Sequence, residues 1–206
     1  MEDSIKEKLK EIKRSFRLMM NGVTSGSMRQ KGIVYKLNWG VPVHELRAMA
    51  EPYGKDAELA KSLWAEDIRE CKLMATYIMP AQTFSEEMAC QWLKDSPTQE
   101  MSEFLVLNLL QYIPSAQKIA LQWITLENEK FKMCGYLLLG RLFKSKGIDE
   151  NFPSEEYLDR SSEAMKSTSL PILRASMNAI VSFSDIDESH HKMAEKTLKQ
   201  FYLDIL

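Results

Sequence analysis

Three short stretches decide how this sequence is interpreted: ELAKSLW at residues 58–64, MACQW at 88–92 and IALQW at 119–123. Each stretch ends in tryptophan, and successive tryptophans are 28 and 31 positions apart. Their apolar residues recur at steps of three or four, which is the spacing of one face of an α-helix. The sequence therefore predicts a helix that ends near each tryptophan, with a period of roughly 30 residues.

A second, more apolar segment follows each tryptophan after a short polar link. These segments are IRECKLMATYI at 68–78, EMSEFLVLNLLQYI at 100–113 and FKMCGYLLLGRLF at 131–143, and a fourth pair of segments lies at 155–165 and 171–183. Two helices per unit are typical of HEAT or armadillo repeats, in which no unit can bury its apolar face alone. The predicted fold is all-α, a curved α-solenoid of HEAT-like repeats whose second helices line the concave face. An irregular helical bundle is the alternative.

The repeats are expected to occupy residues 42–187 of a single domain that covers residues 1–206. An N-terminal amphipathic helix is predicted over 4–20, where Ser4 and Glu7 form a capping box. Residues 21–41 are predicted to be a Gly/Ser-rich loop, because glycine and serine do not favour a continuous helix. A C-terminal helix is predicted over 188–206.

The composition is that of an ordinary globular chain, with 45% hydrophobic residues, 27% charged residues and a net charge of −2. No apolar run approaches the roughly 20 residues that span a bilayer, and the charged N-terminus does not resemble a signal peptide. We therefore expect a cytoplasmic protein with no membrane segment, and a monomer. Cysteines and histidines have no metal-ligand spacing, so no metal site is predicted, and Cys71, Cys90 and Cys134 are expected to be buried thiols.

The stretch SPTQEMSE, residues 96–103, concentrates carboxylates and hydroxyls in mid-chain. Most of it is explained by helix initiation, with Ser96 as N-cap, Pro97 in the first helical position and Gln99 in a capping box. Glu103 is left over, one turn inside the helix. The residue chemistry alone favours a solvated helix face over a functional carboxylate at this position.

Four segments resemble a known family, the AlkD-like DNA alkylation repair proteins. They are NWGVPVHELR at 38–47, GKDAELAKSLW at 54–64, FKMCGYLL at 131–138 and LRASMNA at 173–179. The resemblance implies a stack of HEAT-like repeats with a basic concave face that binds duplex DNA. It also implies release of N3- or N7-alkylated purines without metal or cofactor. In active members two tryptophans pack on the sugar, and an aspartate stabilises the cationic sugar that forms as the bond breaks.

The residues at the family's site positions differ in this chain. Where active members have Trp-Asp-x-x-Asp, Gln99 takes the place of the tryptophan and Glu103 that of the catalytic aspartate. Glu103 is the candidate catalytic residue, although its extra methylene displaces the carboxylate. Met133 falls at the family's arginine, beside Lys132, and Asn178 at the second tryptophan. Alkylpurine excision is therefore expected to be altered, weak or lost. A shift of one turn in the alignment would offer Trp92, for which packing is the expected role.

Several cations near the second helices are candidates for contacts with DNA phosphates, which would give salt-sensitive binding. They are Arg29, Lys31, Arg69, Lys72, Lys130, Lys132, Arg141, Lys144, Lys146 and Arg174. Four glutamates, Glu70, Glu100, Glu103 and Glu129, lie on or beside the same helices and allow a solvated mixed-charge face instead. The alternative function is a HEAT-like protein-interaction scaffold that does not bind nucleic acid.

Overall fold

The computed structural model describes residues 2–199, with side chains from residue 4, and within that range it contains twelve α-helices, one isolated bridge between Leu37 and Ile68, and no strand. The helices are α1 Glu2–Leu18, α2 Gly22–Gln30, α3 Val43–Ala50, α4 Ala57–Trp64, α5 Arg69–Ile78, α6 Glu86–Asp95, α7 Gln99–Asn108, α8 Ala116–Ile124, α9 Glu129–Ser145, α10 Ser154–Ala164, α11 Leu170–Ser184 and α12 Glu188–Lys199. The chain forms two compact units, one ending at Ile113 and the other beginning at Pro114. The prediction of an all-α fold is confirmed.

The first unit is organised around its tryptophans, as the sequence predicts. Trp64 ends α4, Trp92 lies in the last turn of α6, and their rings stack at 4.2 Å with an interplanar angle of 2°. Phe84 packs edge-on against Trp92 at 4.9 Å. Aromatic pairs in these geometries contribute about 0.5–1.5 kcal/mol beyond their buried area. Trp92 therefore has the packing role predicted for it.

In the second unit, α9 and α11 pack side by side as neighbouring second helices. Gly140 allows the close approach, since a Cβ at this position would lie 3.4 Å from the Cα of Ala179. Near the start of both helices, Ser169 Oγ donates a hydrogen bond of 3.1 Å to Glu129. These two contacts, at 129 with 169 and at 140 with 179, show that α9 and α11 run in parallel.

The predicted loop over 21–41 contains a helix, α2, so that prediction is wrong for residues 22–30. Asn21 provides the N-cap, because its side chain accepts a hydrogen bond from the Thr24 N–H. Tertiary packing also favours the helix over the local glycine preference. The backbone of Asn21 lies so close to Gly40 (φ +74°) that a Cβ there would be 2.2 Å from the Asn21 carbonyl oxygen.

The terminal helices agree with their predicted positions within a few residues. The helix predicted over 4–20 spans Glu2–Leu18, and α12 begins at Glu188, where the C-terminal helix was expected. Residues 200–206 of that predicted helix lie outside the described residues.

The cysteines follow the predicted pattern in part. None of the three forms a disulfide, and Cys71 and Cys134 are buried. Cys90 is only half-buried, which corrects the expectation for that residue.

Candidate nucleic-acid interface

Arg69, at the start of α5, lies in a buried network of charges in the first unit. Its side chain is 4% exposed and forms a salt bridge of 2.8 Å with Glu100 at the start of α7. Its Nη1 also donates to the Val41 carbonyl at 3.2 Å. Burial lowers the pKa of Arg69, but the hydrogen bonds and charge of Glu100 outweigh this and raise it, so the guanidinium stays charged.

Glu70, the next residue, fixes the segment that precedes α3. Its carboxylate is fully buried and accepts backbone N–H groups of Trp39 at 3.3 Å, Gly40 at 3.0 Å and Val41 at 3.3 Å. Arg69 Nη1 lies 3.5 Å from the same carboxylate. Glu70 therefore binds the chain's own backbone and does not present its charge to solvent.

Lys72 is also used inside the first unit. Its Nζ donates to the Trp64 carbonyl at 2.6 Å and lies 4.8 Å from the centroid of the Trp64 ring. The residue is 7% exposed, and burial lowers its pKa. The prediction that Arg69 and Lys72 contact DNA is therefore corrected, because neither cation can reach a phosphate from these buried positions.

The sequence analysis did not identify Tyr35. This residue lies in the segment that follows α2, and its hydroxyl connects that segment to the start of α7. Its hydroxyl donates to Glu100 at 2.6 Å and accepts from Thr98 Oγ1 at 2.6 Å. Burial, followed by the hydrogen bond to Glu100, raises the pKa of Tyr35. Thr98 is also the N-cap of α7, accepting from the Met101 N–H, so the predicted cap at Ser96 is wrong by two residues. Ser96 instead donates to the Trp92 carbonyl at the end of α6.

An open cleft of about 540 Å³ lies between the segment 31–34 and the start of α7. Its lining residues are Lys31, Gly32, Ile33, Val34, Pro97, Thr98, Gln99, Glu100 and Glu103. Gln99 and Glu103 are exposed, one turn apart, and joined by a hydrogen bond of 2.7 Å from Gln99 Nε2 to Glu103 Oε1. The structure therefore brings Lys31, Gln99 and Glu103 to one cleft of the first unit.

In the second unit, cations lie along the surface formed by α9 and α11, which we call the α9–α11 face. It consists of Lys130, Arg141, Lys144 and Arg174. Lys144 and Arg174 are exposed, and Lys130 and Arg141 are partly exposed. The three on α9 recur at intervals of 11 and 3 residues, which places them on one side of the helix. Glu129 accepts the hydrogen bond from Ser169 at one end of this face.

The other site residues are dispersed. Arg29 is exposed at the end of α2, two residues before Lys31 of the cleft, and Lys146 is exposed at the end of α9. Lys132 is half-buried, 4.0 Å from Glu127. Met133, which the resemblance places at the family's arginine, is 4% exposed and belongs to the core. Asn178 is exposed on α11.

The helices follow one another in pairs, which is the arrangement of HEAT-like repeat proteins. A solved structure confirms this class: a protein from a family related to the HEAT-like repeat DNA glycosylases, with affinity for branched DNA structures, superposes with a TM-score of 0.82. The alignment covers 92% of this chain and 81% of that chain, at 17% identity. The predicted HEAT-like fold is thus confirmed over the irregular bundle.

Residues 7–152 match the model of the DNA alkylation repair enzyme family, so the chain belongs to that family. The resemblance found in the sequence is confirmed. No curated protein sequence matches the chain.

Between residues 2 and 199, no group of three or more His, Cys, Asp or Glu side chains could hold a metal ion. In the same range, no helix is both long and apolar enough to cross a membrane.

Proposed function

We propose that this protein binds the backbone of DNA through the α9–α11 face and has lost the standard alkylpurine excision of its family. The observation that carries the proposal is the row of cations on two parallel helices of the second unit. Lysine and arginine side chains neutralise phosphates and release counterions, which gives binding that depends on salt and little on sequence.

The dimensions of the face suit a nucleic-acid backbone. Lys130 and Lys144 are 14 residues apart on α9, which corresponds to about 21 Å along the helix axis. At 3.4 Å per nucleotide of one strand, that is roughly six base steps. Arg174 on the neighbouring helix widens the cationic surface, and the one acidic residue of α9, Glu129, lies at one end of it.

The internal salt bridges of the first unit also favour DNA binding. From the sequence alone, the negative charges of Glu70 and Glu100 would be expected to repel a phosphate backbone. In the folded chain, however, Glu100 is paired with Arg69, and Glu70 is buried against backbone N–H groups. Their charges are compensated before any partner arrives.

The residues at the family's catalytic positions argue against excision. Gln99 and Asn178 offer no aromatic surface to a sugar, and Met133 lies in the core. Glu103 is exposed and hydrogen-bonded to Gln99, so water weakens its field at a developing cationic sugar. The related protein's affinity for branched DNA makes junctions and flaps the first DNA substrates to test, since they present duplex arms to a cationic surface.

The proposal is tested by fluorescence anisotropy with a duplex and a three-way junction of equal length, each at several salt concentrations. We expect micromolar or tighter binding whose affinity falls steeply as salt increases. In parallel, DNA containing N7-methylguanine is assayed for base release with wild type and Glu103→Gln, and we expect both to match the uncatalysed rate. Release by the wild type above the uncatalysed rate would contradict the loss of excision. Failure to bind DNA at low salt would contradict the proposal and favour the protein-interaction scaffold.

A further inference from the structure

The cleft in front of α7 has the chemistry of a nucleobase site, and we infer that it binds an unpaired guanine. The inference rests on the proposed DNA-binding function and adds a base preference to it. The cleft volume of about 540 Å³ lies within the range of about 300–1,000 Å³ typical of small-ligand sites. Its lining combines a cation, apolar side chains and a pair of hydrogen-bonding side chains.

The hydrogen-bonding pair presents acceptors to the cleft. A carboxylate only accepts hydrogen bonds, so the amide nitrogen of Gln99 must be the atom that faces Glu103. This bond fixes the Glu103 side chain and turns the Gln99 carbonyl oxygen away from it. Among the described residues, neither side chain has a second hydrogen-bonding partner. The carboxylate, which has about four lone-pair sites, therefore keeps accepting capacity on both oxygens.

Guanine is the base whose edge matches two neighbouring acceptors. Its Watson–Crick edge carries a ring N–H and an amino group side by side, and a carboxylate can accept both in a bidentate arrangement. Thymine has one ring N–H, whereas neutral adenine and cytosine have only an amino group on that edge. Phosphate, by contrast, is an acceptor and would be repelled by Glu103, so the cleft selects a base edge over the backbone.

The guanine must be unpaired, because in duplex DNA cytosine occupies the same edge. Proteins that read Watson–Crick edges take splayed-out bases against flat or apolar surfaces. Here Ile33, Val34 and Pro97 supply an apolar wall, and Val34 is 60% exposed. Lys31 lines the same cleft and supplies a cation for the attached phosphate.

The wall is held in place from behind. Tyr35 follows directly after Val34 and is hydrogen-bonded to Thr98 and Glu100 on the α7 side. The two sides of the cleft are therefore joined by the buried network described above. A base can enter without first ordering the segment that contacts it, which reduces the entropy cost of binding.

The test uses a three-way junction with one unpaired nucleotide at the branch point, measured by anisotropy. The nucleotide is guanine, hypoxanthine, 7-deazaguanine, thymine or an abasic analogue. We expect guanine to bind about tenfold more tightly than the abasic analogue, since a bidentate base contact is worth roughly 5- to 150-fold. 7-Deazaguanine keeps the edge and should equal guanine, while hypoxanthine lacks the amino group and should fall between guanine and the abasic analogue.

Two variants with the same charge change isolate the site. Glu103→Gln replaces one acceptor by a donor and should reduce the guanine preference to below about twofold. Glu58→Gln removes an equal charge from an exposed pair with Lys61 outside the cleft, and should leave the preference intact. Because Glu103 and Glu58 are both exposed, both variants are expected to fold, which thermal unfolding checks.

The outcomes separate this inference from the proposed function. Equal affinity for guanine and abasic junctions, or a preference that survives Glu103→Gln, would overturn the guanine site and leave DNA binding in place. An absence of binding to any junction would overturn both.

Discussion

In the first unit, the cations of the second helix α5 are buried, whereas two of those on the second helices of the second unit are exposed. Arg69 and Lys72 on α5 are 3% and 7% exposed and bind groups of the chain itself. Lys144 and Arg174, on α9 and α11, lie on the surface. Residues of one chemical type in equivalent helices thus serve two purposes. Arg69 holds Val41 and the start of α7, and Lys72 holds the end of α4, whereas the second set lies where a polyanion can reach it.

The largest expected effect comes from breaking the buried network at Glu70. Glu70→Ala leaves the Arg69 guanidinium with one carboxylate fewer beside it and leaves the N–H groups of Trp39 and Val41 without their acceptor, while the Gly40 N–H keeps its bond to Asn38 Oδ1. Removing one partner of a buried ion pair costs about 3–5 kcal/mol, and we expect a loss of that size in urea unfolding.

Two further variants serve as controls for the effect of Glu70→Ala on the free energy of unfolding. Glu70→Gln retains one acceptor oxygen and should lose less. Glu58→Ala, at an exposed carboxylate of the same unit, should change the free energy of unfolding by no more than about 0.5 kcal/mol. Similar losses for Glu70→Ala and Glu58→Ala would show that Glu70 does not hold the segment.

A smaller effect is expected at Tyr35, at the edge of the network. Tyr35→Phe removes the donor to Glu100 and the acceptor of the Thr98 hydroxyl, both at 2.6 Å. We expect a loss of about 1–2 kcal/mol in the free energy of unfolding. Tyr112→Phe is the matched control, because Tyr112 is 60% exposed and should lose nothing measurable. Equal values for the two variants would contradict the role of Tyr35.

The smallest effect is expected from a half-exposed ion pair, that of Asp56 with Lys8 at 3.2 Å. The N–H of Leu59 and the charge of Lys8 outweigh burial and lower the pKa of Asp56 below its ordinary value of 3.8. The ionised form therefore stabilises the fold above that pH, and the contribution is lost as the pH falls through the lowered pKa. Asp56→Asn should cost under about 1 kcal/mol in urea unfolding at pH 7 and much less near pH 2. Equal losses at both pH values would contradict this account.

Much of the fold could be predicted because its signals are local. The spacing of Trp64, Trp92 and Trp123 and the apolar periodicity after each of them identify the helix pairs without knowledge of their partners. Helix α2 was missed because its stability depends on packing against Gly40, 18 positions from its first residue. The helix propensities of the residues in α2 carry no information about such contacts.

Contacts in the candidate site could be predicted only between residues that are close in sequence. Gln99 and Glu103 are one helical turn apart, so their contact follows from spacing. Arg69 is buried because it binds Glu100 and Val41, which lie about 30 residues away in either direction along the chain. The periodicity of the sequence does not predict contacts over that separation. A mixed-charge helix therefore gives no indication, in the sequence alone, of which charges the fold has already paired.

The central claim is that the cations of the α9–α11 face bind the DNA backbone. It is tested most directly by the salt dependence of junction binding for a triple variant, Arg141→Ala with Lys144→Ala and Arg174→Ala. The control has three equal charge changes at exposed lysines elsewhere, Lys10→Ala with Lys61→Ala and Lys192→Ala. With a contribution of about 0.9 per phosphate contact, the account predicts that the slope of log affinity against log salt becomes shallower by about 2–3 in the first variant alone. Equal slopes for the wild type and both variants would contradict it.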